Sequence, residues 1–244
     1  MIIKEMAKKI LFGHKSNSQS LCRFLRKKGV IIGNGVFFFN PRQTHIDLTR
    51  PYLVSFGNNV KISTGFVLLT RDFGWSVIKG INGSIVGNAK PVSIGSNVFF
   101  GFNVLVLGGV TVGDNVVIGA GSVVTKSIPS NEVWAGNPAH FICSIEQYIS
   151  KRESLLLHDA EVQFIYYYQR FKRIPKEEEF HEFFTLWHNP NEQNLNKAFS
   201  KKLYVNGYNS ALTDCYYNNH STKIFSSYQE FIDHCFKIIS QKQK

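Results

Sequence analysis

Arg71 and Asp72, in the segment Leu69-Thr70-Arg71-Asp72, place a permanent cation next to a carboxylate. A guanidinium titrates above ~12 and stays protonated in proteins. Making it a proton acceptor at pH 7 would require depressing it by ~5 units, about 7 kcal/mol. Arg71 is therefore read as a fixed charge, able to stabilise a developing oxyanion, or as a solvated charge at a strand end. No histidine occurs between His45 and His140, so this long central stretch holds no imidazole for base or metal-ligand chemistry. His45, in Gln43-Thr44-His45-Ile46-Asp47, reaches a site only through unusual loop geometry, and a surface histidine is its simpler reading. Cys22, Cys143, Cys215 and Cys235 show no C-x-x-C spacing, which argues against a disulfide framework and a zinc knuckle and for ordinary free thiols. Just beyond Asp72, Trp75 offers a flat apolar face on which a ligand can pack, or simply anchors its loop, with Ser76 and Lys79 nearby. Lys126 follows an inward-phased Val124 and presents a point charge outward.

What positions these residues is a repeat. Ile94, Phe100, Val106, Val112, Ile118 and Val124 recur every six residues, and Gly95, Gly101, Gly113 and Gly119 follow four of them. A second position four residues into each hexad is apolar or small, at Val98, Val104, Val110, Val116, Ser122 and Ile128. A helix needs a period of about 3.6, and an ordinary strand carries no phase across a turn. Six-residue repeats belong to β-helices, in which three hexads wrap one coil of a triangular prism. The phase appears earlier at Phe56, Ile62 and Leu68, with Val60 and Phe66 at the secondary position. The spacing of 26 residues from Leu68 to Ile94 reads as three hexads plus eight, with residues 73–91 extruded as a loop. About four coils at ~4.8 Å per strand predict a prism about 19 Å tall.

The chain divides into a basic helical arm at residues 1–28, a β-helix at 29–143 and an α-helical extension at 144–244. Within the middle part, 30–50 is read as an irregular lead-in with Phe37, Phe38 and Phe39 as cap packing, and 51–129 as the regular prism. Of the net charge of +11, the arm alone supplies +7, from eight Lys or Arg and one Glu. Ile3, Met6, Ile10 and Leu11 share one helical face, either for peripheral contact with a membrane surface or for packing on the prism. No recognised motif accompanies the charge, which disfavours nucleic acid. No apolar run approaches the ~18 residues that span a bilayer, and the N-terminus lacks the apolar core of a signal peptide, so a cytoplasmic location is expected. In the extension, Ser144 with Gln147 opens a helix toward Arg152, Leu155 to Lys172 forms a second, and Lys176 to His188 a third after Pro175. Asn189 to Asn219 is expected to be irregular, and Ser227 with Glu230 caps a last helix reaching about Ile239. Phe164, Tyr167, Tyr168 and Phe171 have the helical spacing of core or subunit packing.

Ile118-Gly-Ala-Gly-Ser-Val-Val-Thr-Lys126, then Ile128-Pro129 and Ala135-Gly-Asn-Pro-Ala139, resembles the terminal coil and exit of the hexapeptide-repeat acyltransferases. These are left-handed parallel β-helix enzymes that use acetyl-CoA. Leu25-Arg-Lys-Lys-Gly29 and Thr70-Arg-Asp-Phe-Gly-Trp-Ser-Val-Ile-Lys-Gly80 resemble the branch that O-acetylates sugars of bacterial capsule or lipopolysaccharide. The likeness covers about residues 21–150.

The resemblance implies a homotrimer with sites between prisms, acetyl-CoA as cosubstrate, a sugar or polysaccharide acceptor and no metal. It places Arg71 where the family has its general-base histidine, after Leu-Thr, and Asp72 where a residue orients or polarises that base; otherwise Asp72 caps the loop. It places Trp75 and Lys79 on the acceptor, and Phe102, Ala120, Thr125, Lys126 and His140 on the cofactor. Small residues at Gly119, Ala120 and Gly121 let a pantetheine arm approach backbone amides, while Asn137 and Pro138 shape the exit turn. Arg71 leaves three readings: a substitution in an enzyme whose binding apparatus is intact, a native residue with the base supplied by Asp72 or a neighbouring subunit, or a non-catalytic binder. An N-acetyltransferase of nucleotide-linked amino sugars is the rival enzyme class.

Overall fold

The computed structural model describes residues 8–190, 195, 197–199, 210–219 and 223–241. The chain forms two compact units, Met1–Tyr148 and Ile149–Lys244.

In the first unit the hexads become very short strands. Along 92–128 every position of both repeat series is buried, and so are Phe56, Val60, Ile62, Phe66 and Leu68. Three parallel sheets stack these strands. The first contains β1 (Ile31–Ile32), β4 (Val54–Phe56), β7 (Val92–Ile94) and β10 (Thr111–Val112); the third contains β3 (His45–Ile46), β6 (Val67–Leu68), β9 (Leu105–Val106) and β12 (Val123–Val124). The second runs β2 (Phe37–Phe38), β5 (Lys61–Ile62), β8 (Val98–Phe100), β11 (Val116–Ile118), β13 (Glu132–Ala135), β14 (His140–Ser144), and its last pair is antiparallel. The four-coil stack expected from the period is therefore present.

Its start differs from the sequence reading. Residues 31–46 make a full coil, one strand on each face, pairing with the coil above. A single turn of 3-10 helix at Pro41–Gln43 stretches the step from Phe38 to Ile46 to eight residues, which hides the period. Of the three phenylalanines expected as a cap, Phe38 alone is buried, because alternation along β2 turns Phe37 outward and Phe39 is exposed. The 26-residue spacing is likewise not three hexads plus eight. Leu68 and Ile94 lie on successive faces, so one corner carries the whole insertion.

Another corner, between the first and second sheets, is built from asparagines. Asn59, Asn97, Asn115 and Asn131 adopt positive φ, and Asn97 Nδ2 donates to Asn115 Oδ1 as Asn115 Nδ2 does to Asn131 Oδ1, each at 2.9 Å. Side-chain amides thus continue the hydrogen-bond ladder where the backbone turns. Beside them Gly95 is required by close approach, since an added Cβ would lie 2.6 Å from the Gly113 carbonyl oxygen.

Helix α1 (Ser18–Lys28) packs on the prism through Leu21, Cys22 and Leu25, and Asn17 caps it by accepting from the Ser20 amide at 2.9 Å. Ile10 and Leu11 do not join this packing and remain 83% and 74% exposed; Ile3 and Met6 lie outside the described residues.

Helix α3 (Ile145–Phe171) runs without the break expected near Arg152, and opens with a reciprocal capping box between Ser144 and Gln147. The helix expected over Lys176 to His188 is instead two 3-10 turns, Glu177–Phe180 and Phe184–Leu186. Here Glu177 accepts from Trp187 Nε1 at 2.7 Å, which favours compact turns over a continuous helix. Within the stretch expected to be irregular, Ser210–Asn219 forms helix α4. Helix α5 (Tyr228–Gln241) closes the second unit, whose core gathers Phe164, Phe180, Trp187 and Phe231. From the aromatic stripe Phe164 and Tyr168 enter that core, whereas Phe171 stays exposed.

Candidate functional site

Asp47 immediately follows β3, and Thr70 and Arg71 follow β6 one coil above, so stacking brings them to the same corner. Asp47 is only 8% exposed. Its Oδ2 accepts from the Thr70 hydroxyl at 2.6 Å, and its Oδ1 from the Thr49 amide at 2.9 Å. Burial alone would raise its carboxyl, but the hydrogen bonds from Thr70 and Thr49 outweigh it and hold the group at about 2.

Arg71 leans on this carboxylate. Its Nε lies 3.8 Å from Asp47 Oδ2 and donates to Thr49 Oγ1 at 3.2 Å. Its guanidinium sits 5.6 Å from the Phe73 ring centroid, and Phe73 in turn packs on Trp75 at 4.9 Å. Arg71 is thus anchored, not a free strand-end charge.

Asp72 faces the inserted segment. It accepts from the Gly74 amide at 2.7 Å and from the Asn88 side-chain Nδ2, while Asn88 Oδ1 accepts from the Asp72 backbone amide at 3.1 Å. It closes the base of the loop and makes no contact with a base. The loop carries helix α2 (Trp75–Asn82), on which Lys79 is exposed along with Val77, Ile78 and Ile81.

The residues expected to hold the cofactor divide between two corners. Thr125 and Lys126 follow β12 on the corner that Arg71 occupies two coils earlier, a separation of about 10 Å along the stack. Phe102 and Ala120 lie on the corner between the second and third sheets, stacked through the Gly121 amide and the Phe102 carbonyl at 2.7 Å. His140 is exposed on the same side, where the turn from β13 contains a cis Asn137-Pro138 bond. Between these corners lies the outward face of the third sheet, with His45, Val67, Leu105 and Val123.

Sequence reasoning missed Asp47 and Thr49, and with them a cavity of about 570 Å³ beneath α1. His14, Lys15, Phe24, His45, Asp47 and Arg71 are on its wall. His45 therefore shares a space with Arg71 without unusual loop geometry, because a strand residue outward from β3 already faces it. The available signal was Ile32, Phe38 and Ile46, which carry the inward phase if one step is allowed to lengthen. Among the described residues no three His, Cys, Asp or Glu side chains cluster to hold a metal ion.

A family model described as hexapeptide repeat of succinyl-transferase matches residues 91–126. The chain is 43% identical over 127 residues to Protein CapG of Staphylococcus aureus, covering 52% of this chain and 73% of that one. It is 40% identical over 109 residues to galactoside O-acetyltransferase of Escherichia coli (strain K12), covering 45% of this chain and 51% of that one. The solved structure of galactoside acetyltransferase in complex with coenzyme A aligns at 29% identity and a TM-score of 0.40, over 59% of this chain and 80% of that one. The chain therefore spans about three quarters of the first relative and half of the second. With nearly three quarters of CapG matched at that identity and the repeat model lying on its third and fourth coils, the chain belongs to the hexapeptide-repeat acyltransferases, the left-handed parallel β-helix family.

Proposed function

We propose that this protein is a cytoplasmic O-acetyltransferase that moves an acetyl group from acetyl-CoA to a sugar hydroxyl of a capsular polysaccharide or lipopolysaccharide precursor. The observation that carries the reading is the 40% identity to a galactoside O-acetyltransferase over 109 residues. In such a transfer the acceptor oxygen attacks the thioester carbonyl, the C–S bond breaks, and the hydroxyl proton leaves with a base or with the departing thiolate. Arg71 cannot take that proton. Losing a general base costs about 10²- to 10⁴-fold, so transfer relies on positioning and is slow.

The division of cofactor candidates between two corners supports a homotrimer. A CoA lying between two prisms would meet Thr125 and Lys126 of one chain and the Phe102, Ala120 and His140 corner of its neighbour. The exposed apolar side chains of α2 beside Arg71 are suited to cover such a cleft.

The test is thioester consumption with a panel of neutral, acidic and amino sugars, with the acetylated product identified by mass and its linkage by NMR. Acetylation at a sugar hydroxyl supports the reading; product only with amino sugars, acetylated on nitrogen, moves it to N-acetylation. The anchoring of Arg71 by Asp47 and Thr49 favours one second reading, a binding protein of the same fold that takes a sugar and acetylates nothing. Binding without thioester consumption identifies that case.

A further inference from the structure

We infer that the cavity beneath α1 selects an acceptor bearing an oxyanion, a carboxylate or phosphate on the sugar, and that Arg71 and Lys15 are its specificity-determining residues. This rests on the reading above for the words acceptor and sugar; the anion site itself stands on the geometry.

Arg71 uses Nε for Thr49, while Asp47 lies beside that same nitrogen. Its Nη1 and Nη2 make no hydrogen bond among the described residues, the side chain is 31% exposed, and Arg71 lines the cavity, so the outer fork of the guanidinium is available to a ligand there. That fork is the geometry that takes a carboxylate or phosphate with two parallel hydrogen bonds. The Phe73 ring centroid lies 5.6 Å from the guanidinium carbon, within cation–π range.

Lys15 also lines this cavity, and its Nζ donates to the Thr44 carbonyl at 2.9 Å. One of its three donors is used, and two are left. Among the described residues the only carboxylate on the wall is Asp47, whose oxygens are taken up by Thr70 and Thr49. Two cations thus face one carboxylate already satisfied, and the cavity favours an anion. His14, stacked on Phe24 at 3.8 Å, and His45 complete the polar lining. The arginine that replaces a base becomes, in this arrangement, a group that recognises charge.

The experiment measures binding by calorimetry to the full-length protein, with glucuronate, glucose 6-phosphate and glucose as probes. Glucuronate or glucose 6-phosphate binding at least ~10-fold more tightly than glucose is expected, and whichever binds more tightly identifies the oxyanion. Arg71→Gln should reduce that preference by about 10- to 100-fold, and Lys15→Gln by a smaller factor. Thermal melts confirm that each variant is folded, and Lys15→Gln, on a separate element, serves if Arg71→Gln is not. Equal affinity for glucuronate, glucose 6-phosphate and glucose, or a preference unchanged in both variants, overturns the inference. So does displacement of the sugar acid by adenosine 3′,5′-bisphosphate, which would give the cavity to the cofactor. Acetyl transfer is measured separately: neutral sugars acetylated as well as acidic ones sinks the anion site and leaves the transferase, and anion binding without thioester consumption does the reverse.

Discussion

The Asp47 carboxylate lies 3.8 Å from Nε of Arg71 and 2.6 Å from the Thr70 hydroxyl, so one buried group ties the first coil to the second where the helix-bearing insertion leaves the prism. Its low titration point makes it a stability element as well as a positioning one.

Asp47→Asn should destabilise the folded protein at pH 7 by about 2 kcal/mol, since lowering a carboxyl from 3.8 to about 2 is worth roughly that much. The folded-state value is depressed, so the stabilisation is complete above ~3.8 and fades as pH falls toward 2. Urea unfolding at pH 7 and at pH 2.5 checks this: the gap between wild type and variant should shrink at the lower pH. A gap equal at both would mean that shape, not ionisation, matters at this position.

Arg71→His should raise kcat for acetyl transfer by about 10²- to 10⁴-fold, the usual worth of a general base. Asp47 is already placed at the corner to orient an imidazole. The gained rate should rise with pH through ~6.5, because the neutral ring is the base. At the same time KM for an acidic acceptor should increase relative to a neutral one, as the guanidinium fork is gone. Steady-state kinetics across pH separates the two effects, and a variant no faster than wild type at any pH returns the base to another residue.

Lys126→Ala should weaken CoA binding without altering the fold, since Lys126 is exposed and follows the buried Val124. A charge-assisted contact to phosphate is worth roughly 1.5–3 kcal/mol, and added salt should reproduce part of the loss. Calorimetry that finds the affinity unchanged would reassign the lysine to a solvated corner.

Thiol reactivity should order the four cysteines. Cys215 is exposed and should react first with a colorimetric disulfide reagent, with Cys143, half-buried, slower. Burial raises the Cys22 thiol, and burial with nearby Glu161 pushes Cys235 up to about 12, so neither should react until the protein unfolds. Fast labelling of Cys235 in native protein would show that the aromatic core of the second unit opens readily.

The sequence by itself determined the prism. A six-residue apolar period has one economical three-dimensional solution, because each inward side chain must repeat on the next face. The buried series from Phe56 to Ile128 matches it residue for residue. The Ser144–Gln147 box and the start of α5 were legible for a similar reason, since capping acts within one helical turn. The opening coil was hidden by two lengthened steps, at the 3-10 turns Pro41–Gln43 and Pro51–Leu53, and the continuity of α3 by a polar stretch that local propensity could not resolve. What only the tertiary structure decided was the company Arg71 keeps. Asp47 is 24 residues distant along the chain and Lys15 is 56, and neither spacing has a period to betray it. Stacking at ~4.8 Å per coil makes such distant residues neighbours, and the packing of α1 over the first coil encloses them in one cavity.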